Sequence, residues 1–308
     1  MEPHRVACYT QPSMPVRATL GLIKTLRPHQ WVKNLFVVAA LVFGRHLTDV
    51  DFVIRALIAF GAFCALSGAV YIFNDVRDVD ADREHPTKRN RPIAAGDLSP
   101  RTALIWAVAF AAGALTTAGF LGPCVLLYAG LYLAQNIAYS LKLKQVAFID
   151  VGLIASGFLL RVLAGGAAIA VPVSGWLLAC TVLIALFLGF GKRAHELAWA
   201  DRSGKTTATR AALAGYKLPH LKLAIYALGA ITCVAYCIYT LQPHTIAYFG
   251  TRHLVWSTPF VVLGILRFMS LALWKPKDES PTEAMLRDPL FLSIIAGAAA
   301  TILIAIYG

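Results

Sequence analysis

The segment NDVRDVDADREHPTKRNRP, residues Asn74–Pro92, brings carboxylates and basic side chains together in a chain that is otherwise strongly apolar. Its five acidic residues all lie between Asn74 and Glu84, and a basic run follows directly. Apolar stretches flank the segment on both sides. These stretches decide the fold, while the charge cluster between them points to the chemistry.

The composition around this segment indicates an integral membrane protein. Of the 308 residues, 58% are hydrophobic and only 14% are charged, with a mean hydropathy of +0.66. An ordinary soluble domain carries about 25% charged residues. No Asp, Glu, Lys or Arg occurs in residues 102–141, 162–191 or 223–251. Since a transmembrane helix needs about 20 mostly apolar residues, each of these stretches can hold at least one span.

The apolar runs predict an all-α bundle of nine transmembrane helices around a cavity open to the cytoplasm. Breakers such as Gly122-Pro123 divide the longer runs. We interpret residues 1–20 as an N-terminal cytoplasmic arm and residues 21–308 as a single transmembrane domain. The nine predicted spans are residues 33–48, 54–73, 102–119, 122–141, 149–169, 175–192, 220–240, 254–273 and 289–307.

The basic residues predict the orientation of the bundle. Of the 28 Lys and Arg residues, 23 fall on the side that holds the N-terminus. Cytoplasmic connections are enriched in Lys and Arg, so we expect the N-terminus and Asn74–Pro92 to be cytoplasmic, in a cell inner membrane. This bias, together with attraction to anionic lipid, accounts for the net charge of +12. Without a groove-reading motif, the charge does not indicate nucleic-acid binding.

The carboxylates of the charged segment have the spacing of one helical face. If the helix of span two continues past Phe73, Asn74, Asp78 and Asp82 fall at i, i+4 and i+8, and Asp75 lies on the same side. Oxygen ligands suit a hard cation, and Mg²⁺ is commonly held by one or two carboxylates plus substrate phosphates. We therefore predict these four residues as metal ligands, with Asp78 and Asp82 catalytic. A solvated loop of mixed charge is the alternative.

Nearby basic and aromatic residues are candidates for substrate binding. Lys88 and Arg89, with Arg91 just beyond them, follow the carboxylates, where cations would neutralise a diphosphate. Tyr71 precedes them by one turn and either faces the same cavity or is an interface aromatic. Arg161 lies inside span five, where a charge usually marks a site, although another buried group or backbone carbonyls could partner it. Lys192 ends span six, where a cation also favours a helix C-terminus.

Several short elements together resemble the UbiA superfamily of intramembrane prenyltransferases. The likeness extends from about Leu20 to the C-terminus and is strongest to its decaprenyl-phosphate phosphoribosyltransferase branch, which includes a rhizobial nodulation homologue. The elements, in chain order, are RPHQWVKN (27–34), N-D-x-x-D-x-x-x-D (74–82), EHPTKR (84–89), RPIAAG (91–96), YSLKLK (139–144) and GKR (191–193).

The resemblance implies a reaction and its partners. A member of this branch would transfer 5-phosphoribose from 5-phosphoribosyl 1-diphosphate to a polyprenyl (decaprenyl) phosphate with Mg²⁺ as cofactor, releasing diphosphate. Its product would lead towards a lipid-linked arabinose donor for the cell wall or for Nod-factor arabinosylation. The family elements assign Tyr139 and Lys144 to substrate binding and favour phosphate contact for Lys33. Membrane lipid is an expected partner, and association into a homo-oligomer is left open.

One departure from the superfamily pattern leaves alternatives. Typical members carry a second D-x-x-x-D motif, whereas Asp150 is followed at i+4 by Ile154, so a second metal cage is not expected. A conventional prenyltransferase that joins a prenyl diphosphate to an aromatic or other acceptor is the first alternative. A lipid-phosphate carrier without catalytic activity is the second, although a carrier has no use for a metal on a leaving group.

Overall fold

The computed structural model describes residues 14–203, 211–274 and 281–308, and every regular element within these ranges is helical. The predicted all-α architecture is confirmed. The α-helices are α1 (Met14–Leu26), α2 (Ala39–Phe43), α3 (Val50–Arg77), α4 (Val79–Glu84), α5 (Pro92–Ala95), α6 (Pro100–Leu121), α7 (Pro123–Leu141), α8 (Ile149–Ala168), α9 (Gly175–Ser203), α10 (Leu218–Leu241), α11 (Pro243–Phe249), α12 (Thr258–Met269), α13 (Pro281–Arg287) and α14 (Pro289–Tyr307). Short 3₁₀ helices cover Pro28–Val38, Lys88–Asn90, Leu143–Gln145, Ala211–Gly215 and His253–Ser257, and a π-helical turn covers Ser270–Trp274.

Eight helical segments in the described ranges are long and apolar enough to cross a membrane. They coincide with predicted spans two to nine and support a multi-pass membrane protein. The largest difference at a boundary is in α9, which continues past residue 192 to Ser203. The eighth segment, His253–Trp274, combines a 3₁₀ helix, α12 and the π-helical turn.

The predicted first span, residues 33–48, has a different structure, so the count of nine is not reproduced in the described ranges. Pro28–Val38 is a 3₁₀ helix that leads into the five-residue α2. The reason is close packing inside the bundle. Gly165 of α8 lies so near this segment that a Cβ atom there would overlap the backbone of Val37.

Helix α8 separates two apolar cores. On one side, α3, α6, α7 and α8 pack together around Phe63 and Tyr132, whose ring centroids are 5.4 Å apart. On the other side, α9, α10 and α12 pack around Phe187 and Phe268, 5.0 Å apart. Large apolar side chains elsewhere are exposed along the outer helix faces. Exposed apolar surface of this extent marks contact with a membrane or a partner, and a bilayer fits the span-length helices.

Local sequence sets several helix ends. Gly122 has a φ of 146° and is followed by Pro123, which separates α6 from α7 as predicted. The Ser99 hydroxyl accepts a hydrogen bond from the Thr102 N–H at the start of α6. Asp288 accepts one from the Phe291 N–H at the start of α14. Side-chain acceptors of this kind satisfy the unpaired N–H groups of a first helical turn.

Asp288 also pairs with the one basic residue of α12. The Arg267 guanidinium donates two hydrogen bonds to the Asp288 carboxylate, at 3.0 and 2.6 Å. The ion pair joins α12 to the start of α14. The predicted domain boundary at residues 20–21 falls within α1 and stays a prediction.

Candidate active site

The C-terminal end of α3 holds a buried carboxylate between two arginines. Asp75 is 3% exposed, and its Oδ1 atom accepts hydrogen bonds from Arg27 Nη2 at 2.7 Å and from Arg91 Nη1 at 3.0 Å. The Arg27 guanidinium also lies over the Tyr71 ring, 5.2 Å from its centroid. Buried carboxylates require such partners because desolvation of an unpaired charge is costly.

Asp82, on α4, is tied to the same group through Arg91. Asp82 is as buried as Asp75, and its Oδ2 atom accepts a hydrogen bond from Arg91 Nη1 at 2.7 Å. A single nitrogen of Arg91 therefore bridges the two carboxylates. Arg91 lies just before Pro92, in an extended conformation that ends the loop after α4.

Asp78 lies at the break between α3 and α4. It has φ −93° and ψ 11°, and the turn is bridged by a hydrogen bond from the Asp82 N–H to the Asp78 carbonyl. Its side chain is 38% exposed and accepts hydrogen bonds from Lys144 Nζ at 3.1 and 3.2 Å. The helix thus continues past Phe73 as expected, with an interruption at Asp78, and the carboxylates fall into two groups with separate cations.

These pairings define the charge balance of the site. Within the described ranges, no group of three or more His, Cys, Asp or Glu side chains converges on a common metal position. Basic side chains lie between the carboxylates in this arrangement. The second oxygens, Asp75 Oδ2 and Asp82 Oδ1, accept no hydrogen bond from a described residue. Both residues contact Arg91, so these two hard oxygen donors belong to neighbouring side chains. Such donors suit a small divalent cation.

The other predicted substrate residues lie at varying distances from this centre. Lys88 and Arg89 are exposed on the short 3₁₀ helix after α4. Lys33 interacts electrostatically with Lys192, Arg161 and Arg27. A concentration of cations of this kind favours an anionic ligand. Tyr139, on α7, accepts a 3.5 Å hydrogen bond from Arg193.

Arg161 is buried in α8 and makes hydrogen bonds only to neutral groups among the described residues. Its Nε donates to Asn34 Oδ1 at 2.7 Å, its Nη1 to the Gly157 carbonyl at 2.9 Å and its Nη2 to the Tyr132 hydroxyl at 2.8 Å. The guanidinium also stacks 4.6 Å from the Tyr132 ring centroid. These contacts match the structural role that we weighed from the sequence. Three of the five guanidinium donors are used in this way.

Asn34 extends this network to α3. Its Nδ2 donates to Ser67 Oγ at 3.1 Å and to Cys64 Sγ at 3.3 Å. Asn34 is thus fully engaged between Arg161 and α3, which fixes the 3₁₀ segment next to Lys33. The sequence had marked Asn34 only as part of a family element.

Asp150, at the start of α8, pairs with residues outside that helix. Its Oδ2 accepts from Arg193 Nε at 2.6 Å, and its Oδ1 accepts from the Tyr216 hydroxyl at 2.6 Å. Burial and this hydrogen bond to Asp150 raise the pKa of the Tyr216 hydroxyl. Arg193 also pairs with Glu196 at 2.5 Å. Both oxygens of Asp150 are therefore engaged inside the protein, in agreement with the absence of a second metal motif.

Four contacts of the site come from residues outside the predicted sets of metal ligands and substrate-binding residues. These are Arg27, Arg91, Arg193 and Tyr216. The sequence had only grouped Arg91 with the cations that follow the carboxylates and Arg193 with Lys192. The first three belong to the basic family elements RPHQWVKN, RPIAAG and GKR, which was an available signal. Tyr216 had none, because nothing in its sequence neighbourhood distinguishes it from a packing residue.

Comparison with known proteins places the chain. The UbiA prenyltransferase family profile matches residues 34–295. The chain belongs to the UbiA prenyltransferase family. Among curated UbiA relatives, the decaprenyl-phosphate phosphoribosyltransferase of Mycobacterium tuberculosis is 38% identical over 84% of this chain and 85% of its own length. That of Corynebacterium glutamicum is 34% identical over 99% and 93%.

The other comparisons agree with this family membership. Nodulation protein NoeC of Azorhizobium caulinodans is 32% identical over 58% of each chain, so the predicted nodulation homologue is confirmed. A UbiA homolog from Archaeoglobus fulgidus, solved with GPP and Mg²⁺, has a TM-score of 0.67 at 18% identity and covers 94% of this chain and 100% of that one. This likeness shows that the chain has the UbiA fold.

Proposed function

We propose that this chain is a Mg²⁺-dependent polyprenyl-phosphate phosphoribosyltransferase. It would transfer 5-phosphoribose from 5-phosphoribosyl 1-diphosphate to a polyprenyl (decaprenyl) phosphate and release diphosphate. One observation carries the proposal: relatives at 34–38% identity, one of them matching 99% of this chain, are named decaprenyl-phosphate phosphoribosyltransferase. The product would be a step towards a lipid-linked arabinose donor, for a cell wall or for Nod factors.

The donor set at the α3–α4 junction suits the proposed metal. Asn74, Asp75, Asp78 and Asp82 would hold Mg²⁺, and the free second oxygens of Asp75 and Asp82 support this assignment. When bound, Mg²⁺ neutralises charge that develops on the diphosphate leaving group. The UbiA homolog from Archaeoglobus fulgidus was solved with GPP and Mg²⁺ bound, which supports a divalent metal for this chain as well.

The basic side chains of the site would position the two anionic substrates. Lys144, already at hydrogen-bond distance from Asp78, would contact a diphosphate that is held near that carboxylate through Mg²⁺. Lys88 and Arg89 are exposed and could reach the donor from the loop side. Lys33 and Lys192 repel each other, and a phosphate bound near both would reduce that repulsion. Positioning of this kind is a large part of group-transfer catalysis.

The acceptor needs little activation from the protein. The phosphate of a polyprenyl phosphate is ionised at neutral pH and can attack the ribose C1 atom without a general base. Tyr71 and Tyr139 would line the route between the two substrates. Arg161 would contribute its two remaining donors to a phosphate, with the rest of the guanidinium held by Asn34, Gly157 and Tyr132.

The prenyltransferase alternative has less support. A prenyltransferase would use a lipid that carries the diphosphate, and typical members bind that diphosphate with two aspartate motifs. In this chain the only acidic residue at the second position, Asp150, is closed off by Arg193 and Tyr216. The named relatives favour the phosphoribosyl donor as well.

The setting of the reaction is part of the proposal. We place the protein in a cell inner membrane, with the N-terminus, the carboxylates and the predicted cavity on the cytoplasmic side, where a soluble phosphoribosyl donor is available. The uneven distribution of Lys and Arg supports this orientation. Assembly into a homo-oligomer stays a prediction.

Membranes that contain the protein test this proposal when they are incubated with labelled 5-phosphoribosyl 1-diphosphate. Mass spectrometry of the lipid extract should show a polyprenyl phosphate enlarged by one phosphoribosyl group, and EDTA should abolish it. A parallel incubation with a prenyl diphosphate and an aromatic acceptor should give no product. Prenylated acceptor without phosphoribosyl lipid would favour the alternative enzyme, and no metal-dependent diphosphate release with either donor would favour a carrier.

A further inference from the structure

Arg91 lies between the two carboxylates to which the proposed metal ion would bind. Its Nη1 atom is 3.0 Å from Asp75 Oδ1 and 2.7 Å from Asp82 Oδ2. A guanidinium that contacts two carboxylates through one nitrogen neutralises their negative charge, as a bound metal ion would. Arg91 and a metal ion that draws Asp75 and Asp82 together therefore compete for the same carboxylates.

Arg27 contacts Asp75 in a different way. It donates to Asp75 alone, and its guanidinium is held over the Tyr71 ring. Its backbone has φ 53°, in the left-handed region that non-glycine residues seldom adopt. Arg27 is thus fixed at the start of the 3₁₀ segment, whereas Arg91 approaches from the loop that follows α4, with 29% of its side chain exposed.

The charges of this group balance without a metal. Asp75 and Asp82 carry two negative charges, and Arg27 and Arg91 carry two positive charges. A divalent ion that bound Asp75 and Asp82 through their second oxygens would leave two excess positive charges in this group. The Arg91 guanidinium would then be repelled from the carboxylates and would need a new anion. The leaving diphosphate of the donor is the anion that arrives with the metal.

We propose that Arg91 is a built-in counter-ion that leaves Asp75 and Asp82 when the metal–diphosphate complex binds and then donates to the diphosphate. The inference rests on the proposed function. It assigns Arg91 as a substrate-positioning residue that also makes metal binding depend on the diphosphate. Metal alone binds weakly because Arg91 repels it and already neutralises the carboxylates, whereas metal with diphosphate gives the guanidinium a replacement partner.

Binding of Mn²⁺ to detergent-purified protein, followed by the electron paramagnetic resonance signal of the free ion, tests this competition without any turnover. Arg91→Gln should bind Mn²⁺ alone about tenfold more tightly than the wild type, the equivalent of one charge-assisted hydrogen bond. Inorganic diphosphate should then increase the Mn²⁺ affinity of Arg91→Gln less than that of the wild type. Arg83→Gln is the matched control, since Arg83 lies in the same segment but pairs with the exposed Asp80, and it should stay within about twofold of the wild type.

A second measurement uses only the wild-type protein, in case the variant does not fold. Arginine modification by a phenylglyoxal reagent, mapped by mass spectrometry, should be slow at Arg91 without ligands and faster with Mn²⁺, while Arg83 reacts at the same rate in both conditions. Unchanged or weaker Mn²⁺ binding by Arg91→Gln would overturn the proposal, as would an Arg91 reactivity that does not respond to Mn²⁺. If that happens while the wild type still makes phosphoribosyl lipid, the counter-ion role fails and the proposed function stands.

Discussion

Asp150 and Arg193 form an ion pair in which both side chains are 0% exposed, with Oδ2 and Nε 2.6 Å apart. The pair joins the start of α8 to the C-terminal half of α9, and the Tyr216 hydroxyl completes it. Both oxygens of Asp150 are thus held by protein groups, so the pair is a structural contact between the two helices.

Removal of one member of this pair should destabilise the protein strongly. Arg193→Met leaves a buried carboxylate with only Tyr216 as partner, which we expect to cost about 3–5 kcal/mol. Thermal unfolding in detergent measures the effect. The double variant Asp150→Leu with Arg193→Met should recover most of the loss, because neither charge is then buried alone. A single variant as stable as the wild type would contradict this account.

Substitution of the junction carboxylates should remove activity without unfolding the protein. Asp78→Asn and Asp82→Asn each take a ligand from the proposed metal, so we expect turnover to fall about a hundredfold or more. Asp80→Asn is the matched control, because Asp80 is 91% exposed and pairs only with Arg83 among the described residues. It should retain wild-type turnover. Loss of detergent-stable fold in place of turnover would argue against a catalytic metal site.

Substitution of Arg161 distinguishes a structural role of this side chain from a phosphate-binding role. Arg161→Met should be less stable than the wild type, since the variant leaves Asn34 Oδ1 and the Tyr132 hydroxyl unpaired, at a cost of about 1–3 kcal/mol. The shift in melting temperature on adding each substrate is the decisive measurement. If the folded variant keeps both shifts in full, Arg161 is structural only.

The orientation can be checked by cysteine labelling. Asp97 is exposed between α5 and α6, and a single cysteine at this position should react with an impermeant maleimide only after permeabilisation. A single cysteine at the exposed Arg252, on the opposite side of the predicted topology, should react in intact cells. The reverse pattern would place the carboxylates outside the cytoplasm.

The spans were predictable because a bilayer imposes length and apolarity on any helix that crosses it. The charge-free runs of α6 and α14 therefore gave boundaries close to those of the structure. The first span was not reproduced, since its 3₁₀ form depends on Gly165 and on the hydrogen bonds of Asn34, which lie far away in the sequence. The extension of α9 was missed because it is polar.

The same reasoning explains what could be predicted of the site. The spacing within Asn74–Asp82 predicted one group of carboxylates on a helical face. The interruption at Asp78 instead divides them into two groups with separate cations. Their partners were not predictable from spacing. Arg27 is 48 residues from Asp75, Lys144 is 66 residues from Asp78, and Asn34 is 127 residues from Arg161. Only the folded bundle brings these pairs into contact.

The central claim is that the chain moves phosphoribose from a diphosphate donor to a lipid phosphate. Its most direct test is the stoichiometry of the reaction in purified protein with 5-phosphoribosyl 1-diphosphate, polyprenyl phosphate and Mg²⁺. We predict one diphosphate released for each phosphoribosyl lipid formed, with both products abolished in Asp78→Asn and retained in Asp80→Asn. Diphosphate release that does not depend on polyprenyl phosphate would contradict the claim. The absence of phosphoribosyl lipid after incubation of folded protein with both substrates and Mg²⁺ would also contradict it.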